Sequence, residues 1–242
     1  MYRLIGQIAL FPYDFAPAGW RFCDGSVLSI GECDALFNLL GNTFGDDIGQ
    51  GTFALPDFRV STPRGCNYCI SLVGSFGGVY EGAMLGETLV SVTPDSVKVP
   101  NLVECAGQLL PTAQYRLLQT YLGTRFGNQG KDKVVLPDLR GKAPAKSRYV
   151  MAAQGDVPDG GKRDAYVGEI ILLPFDLSSH LGDQFRLCNG ELLQTKQNTA
   201  LSGLLGNRFG GDGKQTFALP KLPAPPNFNY YISLGGIFPP RG

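Results

Sequence analysis

The chain holds few side chains able to do chemistry, and their spacing narrows what that chemistry is. Cys66-Asn-Tyr-Cys69 has the C-x-x-C spacing of a dithiol redox motif or of half a zinc site. A zinc ribbon needs a second such pair, and none follows. The pair falls on a strand-like run, NYCISLVG, so the plainer reading is two buried thiols or a local disulfide. His180 is the one histidine, in SSHLGD, and binds no metal unless acids or thiols converge on it; otherwise it is a loop residue. Cys23, Cys105 and Cys188 each stand two residues before a glycine (Gly25, Gly107, Gly190). They form either a shared thiol or metal site, or a small apolar residue packed under a glycine turn. Asp46, Asp47 and Asp212 offer carboxylates in Gly/Asp loops, but EF-hand ligand spacing is missing and turn chemistry explains them. There is no G-x-S-x-G, H-E-x-x-H or P-loop pattern. No catalytic group, cofactor or metal is expected.

The elements that position these residues are written three times. Gly6-Gln-Ile8 returns as Gly86-Glu-Thr88 and Gly168-Glu-Ile170; Cys23-Asp-Gly25 returns as Cys105-Ala-Gly107 and Cys188-Asn-Gly190. Gly41-Asn-Thr-Phe-Gly45 returns as Gly123-Thr-Arg-Phe-Gly127 and Gly206-Asn-Arg-Phe-Gly210. The offsets are 80, 82 and 82 residues, then 82, 83 and 83. A Leu-Pro pair follows each time: Leu55-Pro56, Leu136-Pro137 and Leu219-Pro220. That period is too long for a solenoid and is domain-sized. It divides the chain into units at 1–80, 81–164 and 165–242, with glycine-rich joints at Ser75–Ala83 and Gly155–Ala165.

Each unit reads as a short Ile/Leu-rich strand, a variable loop, a second strand ending in the Cys-x-Gly turn, one short helix, a Gly/Asp loop, the Leu-Pro turn and a closing apolar strand. In the first unit Ser29 and Glu32 have capping-box spacing before Ala35, Leu36, Leu39 and Leu40, which share one helical face. Gly41, Gly123 and Gly206 stand where a C-terminal glycine would end each helix. Proline biases Leu55, Leu136 and Leu219 toward extended backbone, so the arm enters straight, buries its leucine and turns. Most of the aromatic residues fall on the core strands.

The totals agree. Apolar residues make up 43% of the chain and charged ones 17%, against about 25% charged in a typical soluble domain. Twenty-one basic residues balance 21 acidic ones with no basic face, which argues against nucleic acid as a partner. No run approaches the ~18 apolar residues of a membrane span. The opening MYRLIGQIALFPYDF is broken by Pro12 and Asp14 with no cleavage site after it, so it reads as the first strand and not as a signal peptide.

The motif order resembles the phage tail collar domain family, which includes the bacterial microcystin-dependent proteins: GxI-x-L-F, W-x-x-C-D/N-G, N-T-A-L-x-x-L-L-G, G-D-G, F-A-L-P-D-L-R-G, then N-Y-x-I-S-L-x-G. The third unit matches closely at both ends, the first nearly as well with Trp20 in place, and the second diverges most. Asp57–Arg59 and Asp138–Arg140 share a pattern that the third unit lacks, having Lys221 there. The resemblance implies an α+β fold of three small, loop-rich units. Family members usually carry one unit and act as oligomers, often trimers, so three in one chain imply a pseudo-threefold arrangement.

It also implies a non-enzymatic structural or adhesive protein of a virion, tail fibre or cell surface. Its partners would be proteins of a larger assembly or copies of itself, with surface glycans as a further class. A self-polymerising extracellular filament subunit and a lectin-like module are the alternatives. The partner-contact loops would be Asp14–Gly19, with Phe15 and the adjoining Trp20, and Asp176–Gly182, with His180.

Overall fold

The computed structural model describes residues 3–94, 97–157, 163–176 and 184–241. The first third runs β1 (Ile8–Phe11), β2 (Trp20–Phe22), β3 (Val27–Ser29), α1 (Asp34–Leu40), β4 (Asp46–Asp47), β5 (Thr52–Ala54) and β6 (Asn67–Ser71). The middle third runs β7 (Thr88–Ser91), β8 (Leu102–Glu104), β9 (Leu109–Pro111), α2 (Arg116–Leu122), β10 (Lys133–Val135) and β11 (Arg148–Ala152). The last runs β12 (Ile170–Leu173), β13 (Phe185–Leu187), β14 (Leu192–Gln194), α3 (Thr199–Leu205), β15 (Thr216–Ala218) and β16 (Asn229–Ser233). The chain is mostly β, and α+β describes it only loosely.

In each third the closing strand lies between the other two long ones: β1-β6-β2, β7-β11-β8 and β12-β16-β13, all antiparallel. The registers correspond: Leu10 faces Tyr68, Val90 faces Tyr149 and Leu172 faces Tyr230. The nine strands become one sheet because the opening strands meet, Leu10 opposite Ile170 and Leu172 opposite Thr88, while β1 and β7 are also in contact. Strands at such a junction are covered on both faces, and β1 and β12 are accordingly continuous apolar runs, IALF and IILL, buried throughout.

A seven-residue helix cannot hold itself together in water, so packing must hold it. Leu36, Leu118 and Leu201 are fully buried and do so. Gly41, Gly123 and Gly206 end the helices at φ 52°, 56° and 55°, where a β-carbon is disfavoured, and donate to the carbonyls of Phe37, Gln119 and Ser202. The capping box at Ser29 and Glu32 does not form. Ser29 ends β3, pairing with Thr52, and the helix begins past it with Cys33 as its cap. Strand pairing offered Ser29 more than the helix end did.

The glycine-rich joints are packed where they are described. Ser75 bridges to Leu4 and Asp156 to Met84, while Tyr80 and Ala83 are buried. Each of these bridges ties the end of a third back to its own opening segment.

Candidate functional site

The Leu-Pro element and the Cys-x-Gly turn are two halves of one clasp. The Cys23, Cys105 and Cys188 amides donate to the carbonyls of Tyr68, Tyr149 and Tyr230 on the closing strands. Their own carbonyls accept from Phe58, Leu139 and Leu222, at 2.8, 2.8 and 3.0 Å. Gly25, Gly107 and Gly190 donate to the carbonyls of Pro56, Pro137 and Pro220. These glycines have φ 78°, 74° and 88°, and a β-carbon on them would stand 3.3–3.4 Å from residues 57, 138 and 221. Leu55, Leu136 and Leu219 lie beneath, each 1% exposed. The three cysteines are free and buried, and burial raises each thiol far above its ordinary range. This is packing chemistry with no reactive thiolate.

Outside the clasp, Arg59 forks onto Asp57 with Nε at 2.9 Å and Nη2 at 2.6 Å, and Arg140 repeats this on Asp138 at 2.9 and 2.6 Å. Lys221 keeps the backbone bridge, to Asn189, without the fork.

Where the opening strands meet, the thirds face one another. Tyr68, Tyr149 and Tyr230 converge there, close enough to influence one another's phenols. Burial raises all three phenols. They line a narrow cavity of about 30 Å³, together with Gln7, Glu87 and Glu169. That volume suits a water molecule and little more. Gln7, Glu87 and Glu169 share one side-chain bond: their side-chain oxygens accept the amides of Leu4, Met84 and Tyr166, at 3.3, 3.1 and 3.0 Å.

Beyond that bond the three differ. Arg163 enters from a joint and reaches Glu87 at 2.9 Å, with side chains 9% and 1% exposed. Its Nη2 also donates to the Tyr80 hydroxyl, which accepts from Gln7 as well. Burial works against the guanidinium charge, but Glu87, Tyr80 and Glu169 outweigh it and keep it protonated. Burial lifts Glu169 to about 7, with Glu87 adding to the rise and Arg163 and Arg3 opposing it. Arg163 Nε and Nη1 and the Trp20 indole nitrogen are buried without partners among the described residues. All border a cavity of about 340 Å³ that ordered water would fill.

Two aromatic rings lock neighbouring thirds together. Tyr13 leaves β1 and sits against Gly168 of the last third, where a β-carbon would fall 3.0 Å from its ring. Phe175 leaves β12 and sits against Gly86 of the middle third, 2.5 Å from the equivalent point, and packs on Tyr121 of α2 at 5.3 Å.

The sequence profile of the phage tail collar domain matches residues 6–63, 91–144 and 168–224, well over half of the chain. The chain belongs to the phage tail collar domain family. No curated protein and no solved structure gives a significant match. The collar family is a structural one, and the three matched segments each contain one Cys-x-Gly turn, one α-helix and one Leu-Pro turn. No helix among the described residues is long and apolar enough to cross a membrane.

The collar fold rearranges several sequence expectations. Trp20 is buried in this chain where a contact residue was expected: paired opposite Ser71, it is 4% exposed, with Phe11 edge-on at 5.5 Å and the Arg3 guanidinium over its ring at 5.2 Å. Asp14 reaches Arg208 at 3.2 Å, and Phe15 lies between Tyr13 and Arg241, so their loop is clasped by the last third. Asp176 accepts from the Tyr231 hydroxyl. His180 lies outside the described residues. Cys66 and Cys69 are free and buried, with burial pushing Cys66 up to about 12, and no disulfide or redox thiolate arises from the pair. No cluster of metal-ligating side chains occurs among the described residues. Asp212 accepts the amides of Lys214, Gln215 and Thr216, which is turn chemistry. The Tyr triad and the Arg163 cluster were missed. A tyrosine at the same place in NYCI, RYVM and NYYI was the available signal.

Proposed function

We propose that this chain is a non-enzymatic structural and adhesive component of a phage tail, tail fibre or related extracellular assembly. In it, units 1–80, 81–164 and 165–242 close around a pseudo-threefold axis and do within one polypeptide what separate collar chains do as an oligomer. The observation that carries the reading is the meeting of Tyr68, Tyr149 and Tyr230 where β1, β7 and β12 come together. Units of about 75 residues are marginal alone, so contacts between them supply much of the stability. A buried clasp without reactive thiols supports a scaffold and gives no support to turnover. The Asp57–Arg59 and Asp138–Arg140 forks and the loop at Asp14 are the features it presents to partners, which are proteins, with surface glycans as a further class.

One observation favours end-on assembly, including stacking into a filament. Phe76, Val157 and Phe238 follow the three corresponding bridges at Ser75, Asp156 and Ile237, and are 54%, 37% and 57% exposed. Closed around the proposed axis, these three would form an apolar ring suited to a partner surface of matching symmetry. Calorimetry tests the core claim. The expected result is one cooperative transition for the full chain, and three separable transitions would overturn the closed arrangement. Electron microscopy at rising concentration separates discrete particles from filaments.

A further inference from the structure

Between the first and middle thirds, no aromatic ring among the described residues takes the corresponding seat, and Leu39 leans over Gly6 instead. Tyr13 stands two residues after Phe11, and Phe175 two after Leu173; the same place in the middle third, two after Ser91, is Thr93. The strand partner Trp20, opposite Ser71, corresponds to Leu102, opposite Ala152. Where the other two seats hold rings against Gly168 and Gly86, Thr93 and Gly6 border an open pocket of about 180 Å³. Its walls include Ile5, Val90, Val97, Leu102 and Val150, and its polar groups include Lys98 and Glu104. Cavities of about 150 Å³ with aliphatic walls hold a single benzene-sized ring, so this one has room for one ring.

We propose that this pocket receives one Tyr or Phe side chain of a partner protein. Ring chemistry follows from the chain itself, which fills the two corresponding seats with Tyr13 and Phe175. A protein source follows from the surroundings. A side chain begun at Gly77 would start 3.7 Å from Val97 of the pocket wall, and Phe76 and Val79 beside it are each 54% exposed. A free ring would leave those side chains in water, whereas a protein surface carrying the ring as its anchor would cover them. The inference rests on the assembly reading for the identity of the occupant, but the pocket can be probed apart from it.

The probe is p-cresol, the tyrosine side chain alone, titrated into the full chain and followed by methyl shifts in the NMR spectrum. Saturable shifts are expected at Val90, Val97 and Val150 and not at Val134, which lies in β10 away from the pocket. Thr93→Phe, which supplies the missing ring in cis, should weaken p-cresol binding by about tenfold or more and raise the melting temperature by a few degrees. Leu39 already leans over Gly6 and must turn aside for the new ring. If that variant fails to fold, the wild-type shift map still decides. No saturable shift, or shifts away from the pocket, overturns the proposal.

The source is tested by selecting a random peptide library on the full chain. Enriched peptides should share one Tyr or Phe and be displaced by p-cresol. Enrichment without an aromatic requirement, or p-cresol binding with no peptide enriched, overturns the protein source. Neither outcome touches the closed arrangement, which calorimetry reads separately.

Discussion

Around Cys23, Cys105 and Cys188 the chain makes the same backbone hydrogen bonds three times. Around Gln7, Glu87 and Glu169 the backbone bonds repeat as well, and the side chains share one bond, to the amide three residues earlier, before they diverge into a neutral amide, an arginine-paired carboxylate and a carboxyl whose proton is held up to about pH 7. The clasp solves a problem inside each third: a strand, a glycine turn and a proline turn must be tied together, and backbone geometry permits few ways to do it. The junction is met once per chain, so its three positions are free to specialise. Repetition therefore marks local backbone demands, and divergence marks contacts between thirds.

The comparison breaks most visibly at Arg163. Arg163→Ala leaves Glu87, 1% exposed, and Glu169 without their buried cation, and should cost about 3–5 kcal/mol in denaturant unfolding. A loss under about 1 kcal/mol would mean that water replaces the guanidinium readily. At the clasp, Leu55→Ala, Leu136→Ala and Leu219→Ala each remove a side chain 1% exposed and should cost about 2–4 kcal/mol, similar in all three positions. Unequal losses would show that the three clasps differ in packing despite their shared bonds.

The pH dependence comes next. The Glu169 carboxyl lies at about 7 in the folded protein against 4.5 ordinarily, so the folded state holds its proton more tightly. Its contribution is present below about 4.5 and is lost as pH rises through 7, a loss on the order of 3 kcal/mol. Glu169→Gln should flatten that part of the stability profile, and an unchanged slope would assign it to another group. The smallest effect belongs to the surface forks. Arg59→Ala and Arg140→Ala should leave the unfolding midpoint unmoved, because exposed pairs contribute little. The forks hold Asp57 below its usual range and Asp138 at about 2, so both carboxylates stay ionised into mild acid.

The same division explains what could be read from sequence. Helix ends at Gly41, Gly123 and Gly206, and the buried leucine before each Leu-Pro proline, follow from rules that act within a few residues. Ser29 misled because capping-box spacing ignores that Thr52 is available as a strand partner. Trp20 looked like a loop-edge contact because nothing nearby in sequence announces Arg3 or Phe11 beside it. Tyr80 and Arg163 sat in stretches that read as linkers, and their burial depends on how whole thirds meet. Periodicity registers which face of an element is apolar, and it carries no information about what another third brings to that face.

Arg163 carries a consequence for stoichiometry. One guanidinium pairs with Glu87, acts on Glu169 through its field and meets Gln7 only through the Tyr80 hydroxyl, an uneven arrangement that identical separate subunits cannot encode, since each would contribute the same side chain. Fusion into one gene product is what makes such an uneven interior composition heritable. Three separate copies of any single third would carry the same side chain at all three positions, either three acids or none.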